Sequence, residues 1–384
     1  MKGYINRYLS GIIEDTIEKA RKSVLIYGPR QVGKTTLVKT LIRGKQDVYF
    51  SCDLDEVRKA LVPNSALLRA FVGSHKRVVI DEAQRIENSG IVMKILIDTF
   101  PDTRFIITGS SALELAYGTF DSLTGRVFTY LMYPVSTIEI VNSASALEAR
   151  ELLDARLRFG SYPALFNLGD HQQREKYIDM IAKQYLFKDT LSFEMQKSPG
   201  FLSKLAALLA ARTGSLVSYN SLSNDLNVGR NTVERYLHLF TQLFIIVPLH
   251  AYHNNFVKRL TKQNKFYFID VGIRNALIES FGAPDARSDI GGLWENFIII
   301  ERMKRNEAKR ILVNYYFYRG ENNAEIDLVE ERDGKIECFE IKYTAAKPSR
   351  GVVNAAQKEL RDLTPTFLRV LFLVGCLEFR HLIP

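Results

Sequence analysis

The stretch SVLIYGPRQVGKTTL, Ser23 to Leu37, decides the fold of the N-terminal half. The apolar run Ser23–Tyr27 reads as a strand. A glycine-containing loop follows, and Lys34–Leu41 continues with helical character. The loop itself, GPRQVGKT from Gly28 to Thr35, has the spacing G-x-x-x-x-G-K-[ST] in the required strand-to-helix context. Each residue type has a physical reason to be there. The glycines let backbone N–H groups wrap a β-phosphate, and the start of the helix adds partial positive charge. Lys34 reaches the β- and γ-phosphates, and the Thr35 hydroxyl suits Mg²⁺. The expected ATP-binding residues are therefore Gly28, Pro29, Arg30, Gln31, Val32, Gly33, Lys34, Thr35 and Thr36.

A second apolar run, RVVIDEAQ from Arg77 to Gln84, ends in Asp81-Glu82. Asp81 is expected to hold the Mg²⁺ shell at a strand's carboxyl end, and Glu82 to polarise the attacking water. The alternative is a capping pair that only starts the next helix. FIITGSS, Phe105–Ser111, ends another strand in polar residues. Thr108 or Ser110 is read there as a γ-phosphate sensor or as a simple helix cap. No guanine-reading Asn/Thr-Lys-x-Asp follows, which leaves adenine as the base. Further strand-like runs lie at Asp47–Phe50 and Val127–Leu131. Strands separated by helical stretches imply a parallel, doubly wound sheet.

The rest of the chain changes character. Residues 146–215 read as a helical linker. Tyr219–Leu226 and Arg230–Phe244 read as two helices joined by Asn227-Val228-Gly229, followed by strands at Ile245–Leu249 and Lys265–Ile269. Helix, turn, longer helix and hairpin make a winged helix-turn-helix over 216–280. Arg230, Asn231, Glu234 and Arg235 open its second helix. Lys258, Arg259, Lys262 and Lys265 lie in or near its wing, where they suit DNA phosphates. From Phe201 to Ser280 there are nine Lys/Arg against four Asp/Glu, so more than half of the net charge of +9 lies in this stretch. DNA is the expected partner, with protein docking as the alternative. The phenylalanines Phe240, Phe244, Phe256, Phe266 and Phe268 read as core.

AEIDLVEERDGKIECFEIKY, Ala324 to Tyr343, is a hairpin that carries acids. Asp333-Gly334 is a two-residue turn signal that sets Arg332 opposite Lys335. That register puts Asp327 opposite Glu340 and Glu325 opposite Lys342, all four on one face. Ile326, Leu328, Phe339 and Ile341 fall on the other. Opposed acids repel, so a hard cation between them, Mg²⁺ or Mn²⁺, is expected. Lys342 would stabilise developing charge. The alternative is a solvated face with a surface Glu325–Lys342 ion pair.

Two resemblances follow from these motifs. YGPRQVGKTTL, VVIDEAQ and the run from Ser110 to Arg126 resemble the prokaryotic AAA-type ATPases fused to a C-terminal domain of uncharacterised function. That likeness implies ATP hydrolysis and, in such proteins, a ring or other homo-oligomer. It also implies that Arg126 is a candidate arginine finger, in cis or in trans; a plain surface residue at a strand start is the alternative. The acids Asp327 and Glu340 with Lys342, and Glu295 in LWENFI as the helix acid, resemble the PD-(D/E)xK nuclease pattern. This implies a metal set of Glu295, Asp327 and Glu340, with Glu340 and Lys342 catalytic. The expected organisation is an α/β chain: an AAA-type P-loop domain (1–145), a helical linker (146–215), a winged helix (216–280) and an α/β PD-(D/E)xK nuclease-like domain (285–384).

The bulk composition agrees. Hydrophobic residues make up 46% and charged residues 25% of the 384, which is ordinary globular composition. No apolar run is long enough to span a bilayer, and MKGYINRYLS is not an apolar leader. Cys52, Cys338 and Cys376 form no CxxC pair, which argues against a disulfide framework or a zinc site and suits a cytoplasmic setting. Two functions fit. One is an ATP-driven DNA-processing enzyme in repair, recombination or defence; the other is a nucleotide-switched regulator that binds DNA or protein without cutting. A metabolic P-loop kinase fits less well, since no small-molecule lid motif is evident.

Overall fold

In a computed structural model, the N-terminal half forms a parallel five-stranded sheet. Its strands are β1 (Ser23–Tyr27), β2 (Asp47–Ser51), β3 (Arg77–Asp81), β4 (Arg104–Gly109) and β5 (Val127–Leu131). The structure describes residues 3–109, 123–184, 199–253, 263–320 and 325–343, and the backbone of 369–374. Every strand boundary expected here is met to within a residue.

The strand order is β2-β3-β4-β1-β5, and every neighbouring pair is parallel. Strands β1 and β3 are buried almost throughout, which explains why both read as unbroken apolar runs. Their core joins Leu25, Val78, Ile80 and Phe105 to Val92 and Leu96 of the Ser89–Thr99 helix. The chain leaves β1 toward β2 on one side, while β5 lies on the other. The loop after β1 therefore opens at the point where strand order reverses, the usual place for a ligand in such a sheet.

The chain divides into two units. The first is Tyr4–Val135 with Gln242–Phe244; the second takes Gly3, Ser136–Thr241 and the described residues from Ile245 onward. Apart from Gln242–Phe244, the described residues of 146–215, 216–280 and 285–384 thus lie in the second unit.

That unit carries a seven-stranded sheet, ordered β12-β11-β10-β9-β7-β8-β6. The strands are β6 (Leu216–Val217), β7 (Ile246–Ala251), β8 (Asn264–Phe268), β9 (Asn314–Arg319), β10 (Glu325–Arg332), β11 (Lys335–Lys342) and β12 (Arg369–Val374). The β7–β8 strands expected as a wing join the acid hairpin in this one sheet, through a short parallel pairing of β7 with β9. The helices Tyr219–Leu226 and Arg230–Gln242 are present, and Asn227, left-handed at φ +50°, ends the first.

One helix organises the second core. Ile290–Ala308 buries Leu293, Phe297, Ile298 and Ile299 against Leu249, Tyr267, Phe317 and Phe339. Three of its buried polar residues, Asn296, Glu301 and Arg302, are each paired. Asn296 bonds both the N–H and the C=O of Phe268 on β8. Arg302 forks onto Glu330 at 2.6 and 2.8 Å and lies over the Phe339 ring. Glu301 takes Arg156, Lys304 and the Thr137 N–H. Among the described residues, no helix is long and apolar enough to cross a membrane.

Candidate nucleotide site and the acid cluster

The P-loop bends as its composition requires. Gly28, Gln31 and Gly33 have φ of +139°, +59° and +97°. A Cβ on Gly28 would sit 2.5 Å from the Met132 carbonyl oxygen, so this glycine is needed for close approach as well as for φ. Pro29 and Val32 are buried, Arg30 and Thr35 half-buried, and Gln31 and Thr36 exposed. Lys34 is buried, and its Nζ donates to the Gly28 and Pro29 carbonyls at 2.8 and 2.6 Å.

Asp81 ends β3 beside this loop. Its Oδ2 accepts from Thr35 Oγ1 at 2.8 Å and from the Tyr49 hydroxyl at 2.7 Å; its Oδ1 accepts from Thr108 Oγ1. Side chains from the P-loop helix, β2 and β4 thus converge on one carboxylate. Hard oxygens from Thr35 and Asp81 next to a phosphate loop suit Mg²⁺. Glu82, in the left-handed region at φ +58°, donates its N–H to Thr108 Oγ1 and accepts from the Gln84 amide. Thr108 or Ser110 was read as a γ-phosphate sensor or as a simple helix cap. Thr108 is fully buried, and its hydroxyl is spent on Asp81 and on the Glu82 backbone. Ser110 lies outside the described residues. Tyr49 was missed. The signal was available only once β2 is known to neighbour β3, because Tyr49 then stands one pleat from the Ser51–Asp81 pair.

Arg126 falls at the far edge of the sheet. Val127 pairs with Ser23 at the start of β1, whereas the P-loop begins after Tyr27, paired with Leu131. At about 3.3 Å per residue the separation along the strand is about 16 Å, too far for a side chain to reach a nucleotide in its own loop. Instead Arg126 forks onto Asp98 at 2.7 and 3.0 Å. The in-cis reading is corrected accordingly.

In the second unit, the hairpin register is as expected. Arg332 pairs with Lys335 and Leu328 with Phe339, and Asp333-Gly334 turns with φ of +50° and +72°, as a type I′ turn requires. The expected faces fail at one point. Against β9 the register shifts between Ile326 and Val329. Ile326 and Val329 then pack in one cluster with Ile336 and Cys338, while Leu328 joins Phe339 and Ile341 against the long helix. A bulge adds a residue and re-aims side chains, so strict alternation does not carry through Asp327–Leu328.

The acids gather, though not as a metal set. Lys265 of β8, only 1% exposed, lies 3.1 Å from Glu295 and 2.5 Å from Glu325, and the Tyr267 hydroxyl donates to Glu295. Lys265 was expected on DNA phosphates; its burial between two acids excludes that. Glu325 was expected to face Lys342, but its partner is Lys265. Lys342 instead lies 2.7 Å from Glu340 and 3.8 Å from Asp327, whose Oδ2 accepts the Ile341 N–H. Burial pushes Glu295 up to about 7, against the pull of Lys265. Burial also raises Asp327, and burial with the Asp327 charge raises Glu340. Glu340 Oε2 is buried without a partner. Among the described residues, no three His, Cys, Asp or Glu side chains are grouped to hold one metal ion. The Glu295–Asp327–Glu340 ligand set is therefore not preassembled: the helix acid is taken by Lys265 and Tyr267.

Arg230, Asn231 and Arg235 stand on the exposed side of their helix, while Val233, Tyr236 and Leu237 are buried. Lys258, Arg259 and Lys262 lie outside the described residues.

Known proteins resemble the chain in pieces. Residues 20–141 match the family model described as AAA domain, 150–283 a domain of unknown function (DUF8612), and 290–370 another (DUF4143). The uncharacterized protein Rv2008c of Mycobacterium tuberculosis is 27% identical over 354 residues, spanning 91% of this chain and 76% of its own. The uncharacterized protein MJ1637 of Methanocaldococcus jannaschii is 24% identical over 331 residues, 74% of this chain and 69% of its own. Among solved structures, the Walker-type ATPase PABY2304 of Pyrococcus abyssi aligns with 15% identity and a TM-score of 0.48, over 71% of this chain and 96% of that one. The AAA-domain match falls on the same residues that carry the P-loop, the Asp81 carboxylate and the parallel sheet, so this stretch has the P-loop α/β fold and is similar to AAA domains.

Proposed function

We propose that this chain hydrolyses ATP and uses the nucleotide cycle to act on DNA through its second unit. The observation that carries the ATPase reading is the convergence of Thr35, Tyr49 and Thr108 on Asp81 beside the P-loop lysine. Lys34 binds the phosphates, Thr35 and Asp81 hold Mg²⁺, and Glu82 orients the attacking water. The bound ion neutralises phosphate charge. Arg126, unable to reach its own loop, acts if at all from a neighbouring copy in a dimer or ring. Lys34→Ala that still turns over ATP at the normal rate would overturn the site.

DNA engagement is carried by Arg230, Asn231 and Arg235 on the exposed helix face, within the basic 201–280 stretch, read as a winged helix. The Asp327, Glu340 and Lys342 face then cuts in a Mg²⁺- or Mn²⁺-dependent way; the unpartnered Glu340 Oε2 supports an ion there. The test is nicking of linear, nicked and four-way DNA, lost in Asp327→Ala with ATP turnover retained. Absence of cutting with DNA binding intact removes the cleavage part.

A second reading is favoured by Lys265, which takes Glu295 and Glu325 out of reach of a metal. The chain is then a nucleotide-switched regulator that binds DNA or protein without cleavage. It predicts a change in sedimentation or DNA affinity between ADP and ATP; identical behaviour in both counts against it.

A further inference from the structure

We infer that Tyr49 is a positioning residue for the metal-holding carboxylate of the nucleotide site, an inference that rests on the ATPase reading above. The Tyr49 hydroxyl donates to Asp81 Oδ2 at 2.7 Å, the same oxygen that accepts from Thr35 at 2.8 Å. With Thr108 on the other oxygen, the carboxylate is gripped from three elements and its orientation is set before any ligand arrives. The Tyr49 ring also meets Lys39, on the helix that follows the P-loop, whose Nζ stands 5.0 Å from its centroid. Tyr49 therefore links the P-loop helix to the end of β3. Its hydroxyl bonds the carboxylate that would hold Mg²⁺, the relation by which outer partners commonly orient a metal-holding group.

The consequence is specific. Losing the phenol leaves Lys34 and the loop intact, so binding of ATP without metal should persist. Losing the orientation of Asp81 should weaken the gain in affinity that Mg²⁺ confers. Labelled ATP is titrated onto the full chain, by fluorescence anisotropy, over a range of Mg²⁺ concentrations and in EDTA. For Tyr49→Phe the Mg²⁺ concentration at half-effect should rise roughly tenfold or more, with affinity in EDTA unchanged. An unshifted Mg²⁺ midpoint in a folded Tyr49→Phe protein overturns the inference. Asp81→Asn is measured alongside: if it too leaves the Mg²⁺ dependence unchanged, the site reading has failed rather than the role of Tyr49. Should Tyr49→Phe not fold, Tyr49→Gln, which keeps a donor, is compared with Tyr49→Met, which does not. The glutamine protein should need less Mg²⁺, and equal requirements overturn the inference.

Discussion

Lys265 shows how a single side chain can reverse its expected role. On sequence it stands in a basic stretch and suits a phosphate. In the fold its ammonium is buried between Glu295 and Glu325, and these acids outweigh burial and hold it above the ordinary lysine range. Breaking a buried pair leaves an uncompensated charge, so Lys265→Met should destabilise by about 3 kcal/mol. Adding Glu295→Gln should recover part of that loss. Urea melts of the single and double variants check both, and a single variant as stable as the parent would mean the pairs contribute nothing. Gly160 makes a second case. A Cβ there would sit 1.9 Å from Asp270 Oδ1 at a φ of +87°, and that carboxylate accepts the Ser161 and Gly272 N–H groups. Gly160→Ala should lower the melting temperature well beyond the few degrees of a surface change.

The Ile290–Ala308 helix shows how an element can bury charge and keep it paired. Burial alone would raise the Glu301 carboxyl, but Lys304 and Arg156 bring it down to about 2, from an ordinary 4.5. A depressed carboxyl contributes stability that is present above the unfolded value and lost as pH falls through the folded one. The contribution, about 3 kcal/mol, should therefore disappear between about pH 4.5 and 2. Glu301→Gln should flatten the acid limb of stability against pH across that window. An unchanged limb would place the acid sensitivity in other carboxylates. The β10–β11 hairpin is a different kind of element, because its register comes from its turn and not from the helix it packs on. Gly334 at φ +72° favours glycine, and Gly334→Ala should cost about 1 kcal/mol without shifting the pairing.

At the scale of the whole chain, the seven-stranded sheet joins β6–β8 to the acid hairpin, so the basic stretch and the acid cluster share a core. Trp294 is the chain's one tryptophan and lies in that core, so its fluorescence reports this unit. Phe268→Ala on β8 and Phe339→Ala on β11 should each destabilise by about 3–5 kcal/mol. Both should shift the same tryptophan-monitored transition. A midpoint moved by only one of them would mean that the β7–β8 pair and the hairpin unfold apart.

The P-loop, the parallel strands and the hairpin turn were legible because each is written in consecutive residues. A glycine at a forced φ, an apolar run buried on both faces, or an Asp-Gly pair acts over a few positions, and local sterics suffice to read it. Three things were not legible. Tyr49 meets Asp81 only because β2 lies beside β3; Lys265 meets Glu295 and Glu325 only because β8 joins the same core as the long helix; and Ile326 changes face only because β10 bulges against β9. Each depends on strand neighbours distant in sequence, and burial then sets the charge state of the groups brought together. The sequence by itself determined that this chain holds a phosphate loop and an acid hairpin. The tertiary structure decided which side chains grip Asp81, and that the helix acid Glu295 faces a lysine.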